Sequence, residues 1–307
     1  MRAARAIGSF VSAVRFPRPK VVAPRTGDPT AAPRIGLALG GGFARGIAHA
    51  GVLKVFEQQG IPIHAIAGVS AGSIAAAAFA SGASADQIAR AGCSMRFGDV
   101  ARWSLCRMGF VVSERMHRFL DKLLKCHRFE DMPTPLGVLA TDLGTGEPVS
   151  FRGTGDVFLP IRASCSYPGL FRPVYWEGRL LVDGAMSVEI PALLTRQLGA
   201  THVIAVHLPA PAPDVAPRNV FQVVNRCFQI MQSRSEGTWR GHCDLVISPD
   251  VRGIQWDAFT SGPEMLKAGE AAARAALPAI RKWLGAAGSV AGAAQGLPGV
   301  TPDLTPA

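Results

Sequence analysis

The chain has 307 residues, 48% of them hydrophobic, which is enough for one large core without a second domain. No apolar run reaches the roughly 18 residues of a membrane span. The six cysteines contain no Cys-x-x-Cys pair and no zinc spacing with histidine, so no metal or cofactor is expected and buried thiols in a reduced, cytoplasmic setting are. The net charge of +10 is unevenly spread, and its basic residues are not interleaved with aromatics on a reader module, which excludes nucleic acid as a partner.

Residues 1–33 form a basic, proline-rich tail. Arg2, Arg5, Arg15, Arg18, Lys20 and Arg25 precede the first acid, Asp28, and Ile7, Phe10, Val11 and Val14 interleave with the first arginines at near-helical spacing. Such a segment suits peripheral contact with an anionic membrane surface, an organelle-targeting peptide, or a solvated tail. The short apolar stretch, broken by Ser9 and Ser12, argues against a signal peptide.

From residue 34 the pattern alternates between strands and helices. Arg34–Leu39 reads as a strand, Gly46–Gln59 as a helix closed by Gly60, His64–Gly68 as a short strand, and Ser70–Ala80 as a helix of small residues. Ala83–Met95 and Ser113–Lys125 read as helices, while Leu136–Ala140, Pro148–Phe151 and Arg179–Val182 read as strands. A helix is expected over Glu189–Leu198, a strand over His202–His207, a linker over Pro209–Pro217, a helix over Val220–Ser233, a strand over Asp244–Ile247, and a helix with an internal Pro278 over Pro263–Leu284. Residues 285–307 are Gly-, Ala- and Pro-rich and are expected to be disordered. Residues 34–208 then form the core of the domain and 209–284 its C-terminal part. Strand–helix alternation with apolar strands predicts an α/β fold, a mostly parallel sheet covered on both faces.

Three segments bear chemistry. Gly40-Gly41-Gly42-Phe43-Ala44-Arg45-Gly46 links the first strand to the first helix, where glycines let a ligand approach backbone N–H groups. Dinucleotide binding is disfavoured, because Arg45 stands at the third position of Gly-x-Gly-x-x-Gly and no acid ends the second strand. Gly68-Val69-Ser70-Ala71-Gly72 suits a sharp strand-to-helix turn that exposes a serine hydroxyl. Alone, that pattern arises by chance in about one chain in ten of this length. Asp183-Gly184-Ala185 ends a strand. In a parallel sheet all three segments fall at carboxyl ends and converge there. Ser70 then needs a proton acceptor, for which Asp183 is the candidate, and the N–H groups of Gly41 and Gly42 face a developing oxyanion.

In this order the segments resemble the patatin-like phospholipases, most nearly the bacterial members. The likeness runs from Gly36 through Leu53, then Gly68–Gly72, Arg162-Ala-Ser-Cys-Ser-Tyr-Pro168-Gly-Leu-Phe171-Arg-Pro173, and Asp183–Ala185. It covers about residues 34–208. It implies a three-layer sandwich and hydrolysis of phospholipid or another lipid ester by a Ser–Asp dyad. Ser70 is then the nucleophile, Asp183 the base, and Gly40, Gly41 and Gly42 the oxyanion hole. Arg45 matches the family's basic residue, which orients the loop or meets an anionic headgroup. Phe43 departs from the family, since many members have glycine there. Acyl transfer to an alcohol or lysolipid uses the same acyl-enzyme, and a weakly active lipid-binding protein would keep the same pocket. An α/β-hydrolase triad would recruit His207. Only one strand precedes that of Ser70, however, and that fold places several there, so His207 is read as a structural residue and His49 as a packed one. A second membrane contact is considered at Met95–Val112, where aromatic residues alternate with arginines; the alternative there is a helical cap on the core.

Overall fold

The computed structural model describes residues 32–100, 102–106, 108–209, 216–255 and 257–293. The basic tail, most of the expected 209–217 linker and the last residues of the chain therefore lie outside the described part. In chain order the elements are β1 (Ile35–Leu39), α1 (Ala48–Gln58, entered through a 3₁₀ turn Phe43–Ile47), β2 (Ala65–Gly68), α2 (Ala71–Ala80), α3 (Ala85–Ser94), α4 (Phe97–Val100), the hairpin β3 (Arg102–Cys106) and β4 (Gly109–Val112), and α5 (Glu114–Leu123). There follow β5 (Leu136–Asp142), β6 (Pro148–Arg152), α6 (Phe158–Ser164), β7 (Val174–Trp176), β8 (Arg179–Asp183), α7 (Ala192–Gln197), β9 (His202–Val206), α8 (Val220–Arg240), β10 (Leu245–Ile247) and α9 (Gly262–Ala293).

The main sheet runs β10-β9-β1-β2-β5-β8-β7, with β6 also paired to β5. Its first five strands are mutually parallel. Side chains of successive strand residues point to opposite faces, and both faces are filled. Ile35, Leu37 and Leu39 of β1, with Ile204 and Val206 of β9, join one large core with residues of α1, α2, α3 and α9. Ala38, Val203 and Ala205 face the other way, with Ala192 and Trp239. This is a three-layer α/β sandwich. Helix α9 crosses α1 at close range, because any side chain on Gly269 would collide with the Ala48 carbonyl and any on Gly51 with the Leu266 carbonyl.

Several expectations shift. Helix α7 begins only at Ala192, after Pro191, rather than at Glu189. Helix α8 continues to Arg240, and α9 continues past Gly285 to Ala293, so part of the expected disordered tail is helical. Residues 97–112 form a short helix and an antiparallel hairpin rather than a helical cap. The largest correction concerns β8, which is antiparallel to β5, so Asp183 does not sit at the carboxyl end of a parallel strand.

The register shows how Asp183 nevertheless arrives beside Ser70. Along one edge of β5, β6 pairs with Gly137–Thr141, and the Asp142 N–H reaches Glu147 on that side. Backbone hydrogen bonds alternate sides along a strand, so the odd-numbered residues of β5 serve the other edge. There the Ile66 N–H donates to Pro135, and the Leu143 N–H donates to Leu180. Strand β2 therefore climbs this edge until Gly68 lies level with Val138, and β8 descends it until Asp183 lies level with Ala140. The two chains meet end to end, about 7 Å apart in strand rise, and the gap between them is where β2 turns into Ser70.

Candidate active site

The turn after β2 is sharp. Ser70 has φ 53° and ψ −127°, a conformation that L-residues rarely adopt and that lifts the side chain off the sheet. Its flanking glycines are required sterically: a side chain on Gly68 would strike the Gly72 carbonyl, and a Cβ on Gly72 would lie 2.6 Å from the Gly40 oxygen. The strain is held by hydrogen bonds on both sides of the residue. The Ser70 N–H donates to Ser164 Oγ (2.8 Å), which donates to the Leu139 carbonyl (2.7 Å), and Ser73 Oγ donates to the Ser70 carbonyl (2.6 Å).

Asp183 is 1% exposed. Its Oδ1 accepts the Ala185 N–H at 2.9 Å. Burial pushes its carboxyl up to about 7, while the Ala185 N–H and the Ser70 hydroxyl pull the other way by favouring the ionised form. Burial also raises the Cys165 thiol and the Tyr167 phenol, and the Asp183 charge adds to both, so Asp183 is the first of the three to give up its proton as pH rises.

The glycine loop covers the serine. A Cβ on Gly41 would stand 3.3 Å from Ser70 Cβ and 3.9 Å from its Oγ. The Gly40 N–H is spent on the Val206 carbonyl at 3.1 Å, so Gly40 contributes close packing and not a free donor. Among the described residues, the N–H groups of Gly41 and Gly42 make no hydrogen bond. Phe43 follows with φ 51°, the left-handed backbone that favours glycine. The departure from the family thus falls where glycine would be least strained, and its ring packs edge-on to Tyr167 with centroids 5.4 Å apart.

His49 is wholly buried, and its Nε2 lies 2.8 Å from the Gly40 carbonyl. Burial lowers its pKa to about 4, so the imidazole is neutral and Nε2 carries the donated proton. Arg45 is buried behind the loop and does not line the cavity described below. Its Nη1 donates to the Pro209 carbonyl at 2.9 Å, and the nearby Glu189 charge partly offsets the burial that lowers its pKa. His207 meets Glu189 (Nε2 to Oε1, 3.3 Å), and Trp239 Nε1 donates to the other oxygen of that carboxylate. His207 therefore belongs to a structural cluster and not to Ser70. Among the described residues no group of three His, Cys, Asp or Glu side chains is placed to hold a metal ion, and no helix is long and apolar enough to cross a membrane.

Ser70 opens into a cavity walled by Phe43, Ala71, Ile74, Met95, Phe97, Val100, Met116, Cys165, Phe171 and Phe259. Apart from the serine hydroxyl, this lining suits a hydrocarbon chain. The sequence reading missed Ser164, which buttresses the turn, and the apolar walls. Ser164 lies within the 162–173 stretch that carries the family likeness, and that was its only signal.

A sequence-family model described as patatin-like phospholipase matches residues 37–195. An uncharacterized NTE family protein of Mycobacterium tuberculosis is 32% identical over 204 residues, covering 64% of this chain and 56% of that protein. A lysophospholipase NTE1 of Mycosarcoma maydis is 28% identical over 227 residues, covering 71% of this chain and 12% of that protein. The chain thus spans about half the length of the mycobacterial relatives and a small part of the fungal one. Among solved structures, VipD of Legionella pneumophila superposes with a TM-score of 0.58 at 14% identity, covering 81% of this chain and 68% of that one, a likeness of fold.

Proposed function

Because the chain belongs to the patatin-like phospholipase family, we propose that it is a serine acyl-ester hydrolase acting on lipids, of phospholipase A or lysophospholipase type, through a Ser70–Asp183 dyad. The observation that carries this reading is the end-to-end meeting of β2 and β8, which sets a buried carboxylate against the strained serine at the mouth of an apolar cavity. The acyl chain of a lipid ester occupies the cavity and its carbonyl lies over Ser70. Ser70 Oγ attacks the carbonyl carbon as its proton passes to Asp183. The oxyanion forms against the N–H groups of Gly41 and Gly42, donors whose direction is fixed before the charge develops. Collapse breaks the ester bond, and Asp183 returns the proton to the departing alcohol. Water, deprotonated by Asp183, then attacks the acyl-Ser70 ester; collapse breaks the bond to Ser70 Oγ, which takes the proton back from Asp183 as the fatty acid leaves. A carboxylate is ordinarily a weak base; burial to about 7 brings Asp183 close to working pH and makes direct proton transfer effective.

Lipid analysis of the purified full chain with mixed phospholipids, beside Ser70→Ala, tests this reading. Free fatty acid and the matching lysolipid should appear with the wild type only. Equal product from Ser70→Ala refutes the dyad, and acyl groups recovered on an added alcohol in place of free acid would assign the acyl-enzyme to transfer.

A further inference from the structure

Helix α8 lies outside the family-matched stretch 37–195 and is two-sided. Its inner face is tied to the active-site wall: Asn225 Oδ1 accepts the Tyr167 hydroxyl at 2.9 Å, and Phe228 packs edge-on to Tyr167, which in turn packs on Phe43 of the cavity. Its outer face is apolar and, among the described residues, uncovered. Val220 is 80% exposed, Val223 45%, Ile230 50% and Met231 40%. At about 100° per residue these positions, with the exposed Cys227, fall within a single arc of about 100°. A contiguous stripe of this kind on a protein surface marks an interaction site more often than scattered exposure does.

The charge around the stripe identifies what covers it. From residue 216 to 235 there are three arginines, Arg218, Arg226 and Arg234, and no aspartate or glutamate. A second copy of the chain would set Arg218 and Arg234 against their like-charged counterparts, with no aspartate or glutamate in the same stretch. It would also run out of apolar surface after about 16 Å, where the stripe meets Arg234. A bilayer with anionic headgroups accepts both features, since the apolar side chains enter the headgroup boundary while arginines at the stripe's ends meet phosphates.

We propose that the outer face of α8 is a docking surface for bilayers carrying anionic lipid, placing the Ser70 cavity beside the membrane. This does not depend on the dyad, because binding is read without turnover, and Ser70→Ala should bind as the wild type does. The test uses the full chain labelled at Cys227 with an environment-sensitive thiol fluorophore, the labelled position confirmed by peptide mapping. Vesicles of phosphatidylcholine and phosphatidylglycerol in equal parts should blue-shift the emission and sediment the protein, whereas phosphatidylcholine alone should do neither. Val223→Asp with Ile230→Asp, and separately Arg218→Glu with Arg234→Glu, should each lower the partition coefficient by ~10-fold or more while hydrolysis of a soluble ester and the circular dichroism spectrum stay unchanged. Sedimentation without any change at Cys227 would locate binding elsewhere and overturn the proposal. So would an unaltered partition coefficient in both double variants, or a dimer in light scattering that Val223→Asp with Ile230→Asp dissociates.

Discussion

Replacing Asp183 by Asn removes a buried charge while keeping an oxygen for the Ala185 N–H, so it separates the carboxylate's chemistry from its cost. The folded carboxyl is held near 7 against an ordinary 3.8. Because the folded value is raised, the unfolded chain gives up its proton first as pH rises. Wild-type stability from this group is therefore full below about pH 4, falls through the window up to about 7, and stays low above it. The gap corresponds to about 4 kcal/mol, of which Asn should recover about half or more, since its amide is a weaker acceptor than a carboxylate. Urea unfolding should show Asp183→Asn more stable than wild type by about 2–4 kcal/mol at pH 8, with the difference shrinking toward pH 5. The same carboxylate must be ionised to act as base. Wild-type kcat/KM on a p-nitrophenyl ester, read at the isosbestic wavelength of the product, should rise about tenfold per pH unit up to about 7 and then level. Asp183→Asn should lack this limb and lie on the order of 10³-fold below the wild-type plateau, the gap closing toward pH 5. A stability difference that does not grow between pH 5 and 8, or an acid limb centred near 4, refutes the claim that burial tunes this base.

Substitutions at three further positions probe the parts around it. His49→Ala leaves the Gly40 carbonyl without its buried donor; it should destabilise the fold by about 1–3 kcal/mol and lower kcat by no more than about tenfold with KM little changed, and His49→Gln should restore most of kcat. His207→Ala should keep at least about a tenth of wild-type kcat, because its partner is Glu189; a loss of several orders of magnitude in folded protein would signal a triad. Phe43→Gly should unfold at higher urea than Phe43→Ala by about 1 kcal/mol, since both lose the ring and only glycine relaxes the left-handed backbone; equal midpoints would show that this turn stores no strain.

The elements that meet at the site differed in how legible they were in the sequence. The Gly68–Gly72 turn and the Gly40–Gly42 loop were legible because local sterics favour glycine there: a side chain on Gly68 or Gly72 would strike backbone, and one on Gly40, Gly41 or Gly42 would be crowded. The parallel body of the sheet followed from apolar strands alternating with helices. The direction of β8 was not legible. It is set by the Trp176–Arg179 hairpin, in which Glu177 and Gly178 both take positive φ, and by pairing with β5 some forty residues away. The expectation that Asp183 approaches Ser70 therefore rested on the wrong geometry, strands ending side by side, whereas the two chains meet head to head. Arg45 was read as orienting the loop or meeting an anionic headgroup, because its position next to the glycine loop says nothing of burial; the Pro209 carbonyl that receives it is 164 residues away. The outer stripe of α8 was hidden for the opposite reason, since apolar residues at helical spacing read as core until the fold shows no described residue packed on them.

The most direct measurement of the central claim is covalent trapping by an organophosphonate. The reagent mimics the tetrahedral intermediate, so rapid modification requires both an activated hydroxyl and donors waiting for the oxyanion. Intact mass and peptide mapping of the full chain should find a single adduct, on Ser70 within the Gly68–Gly72 turn, formed far more slowly in Asp183→Asn and absent in Ser70→Ala. An adduct on another residue with Ser70 unmodified, or modification of Ser70 at the same rate without the Asp183 carboxylate, would contradict the account.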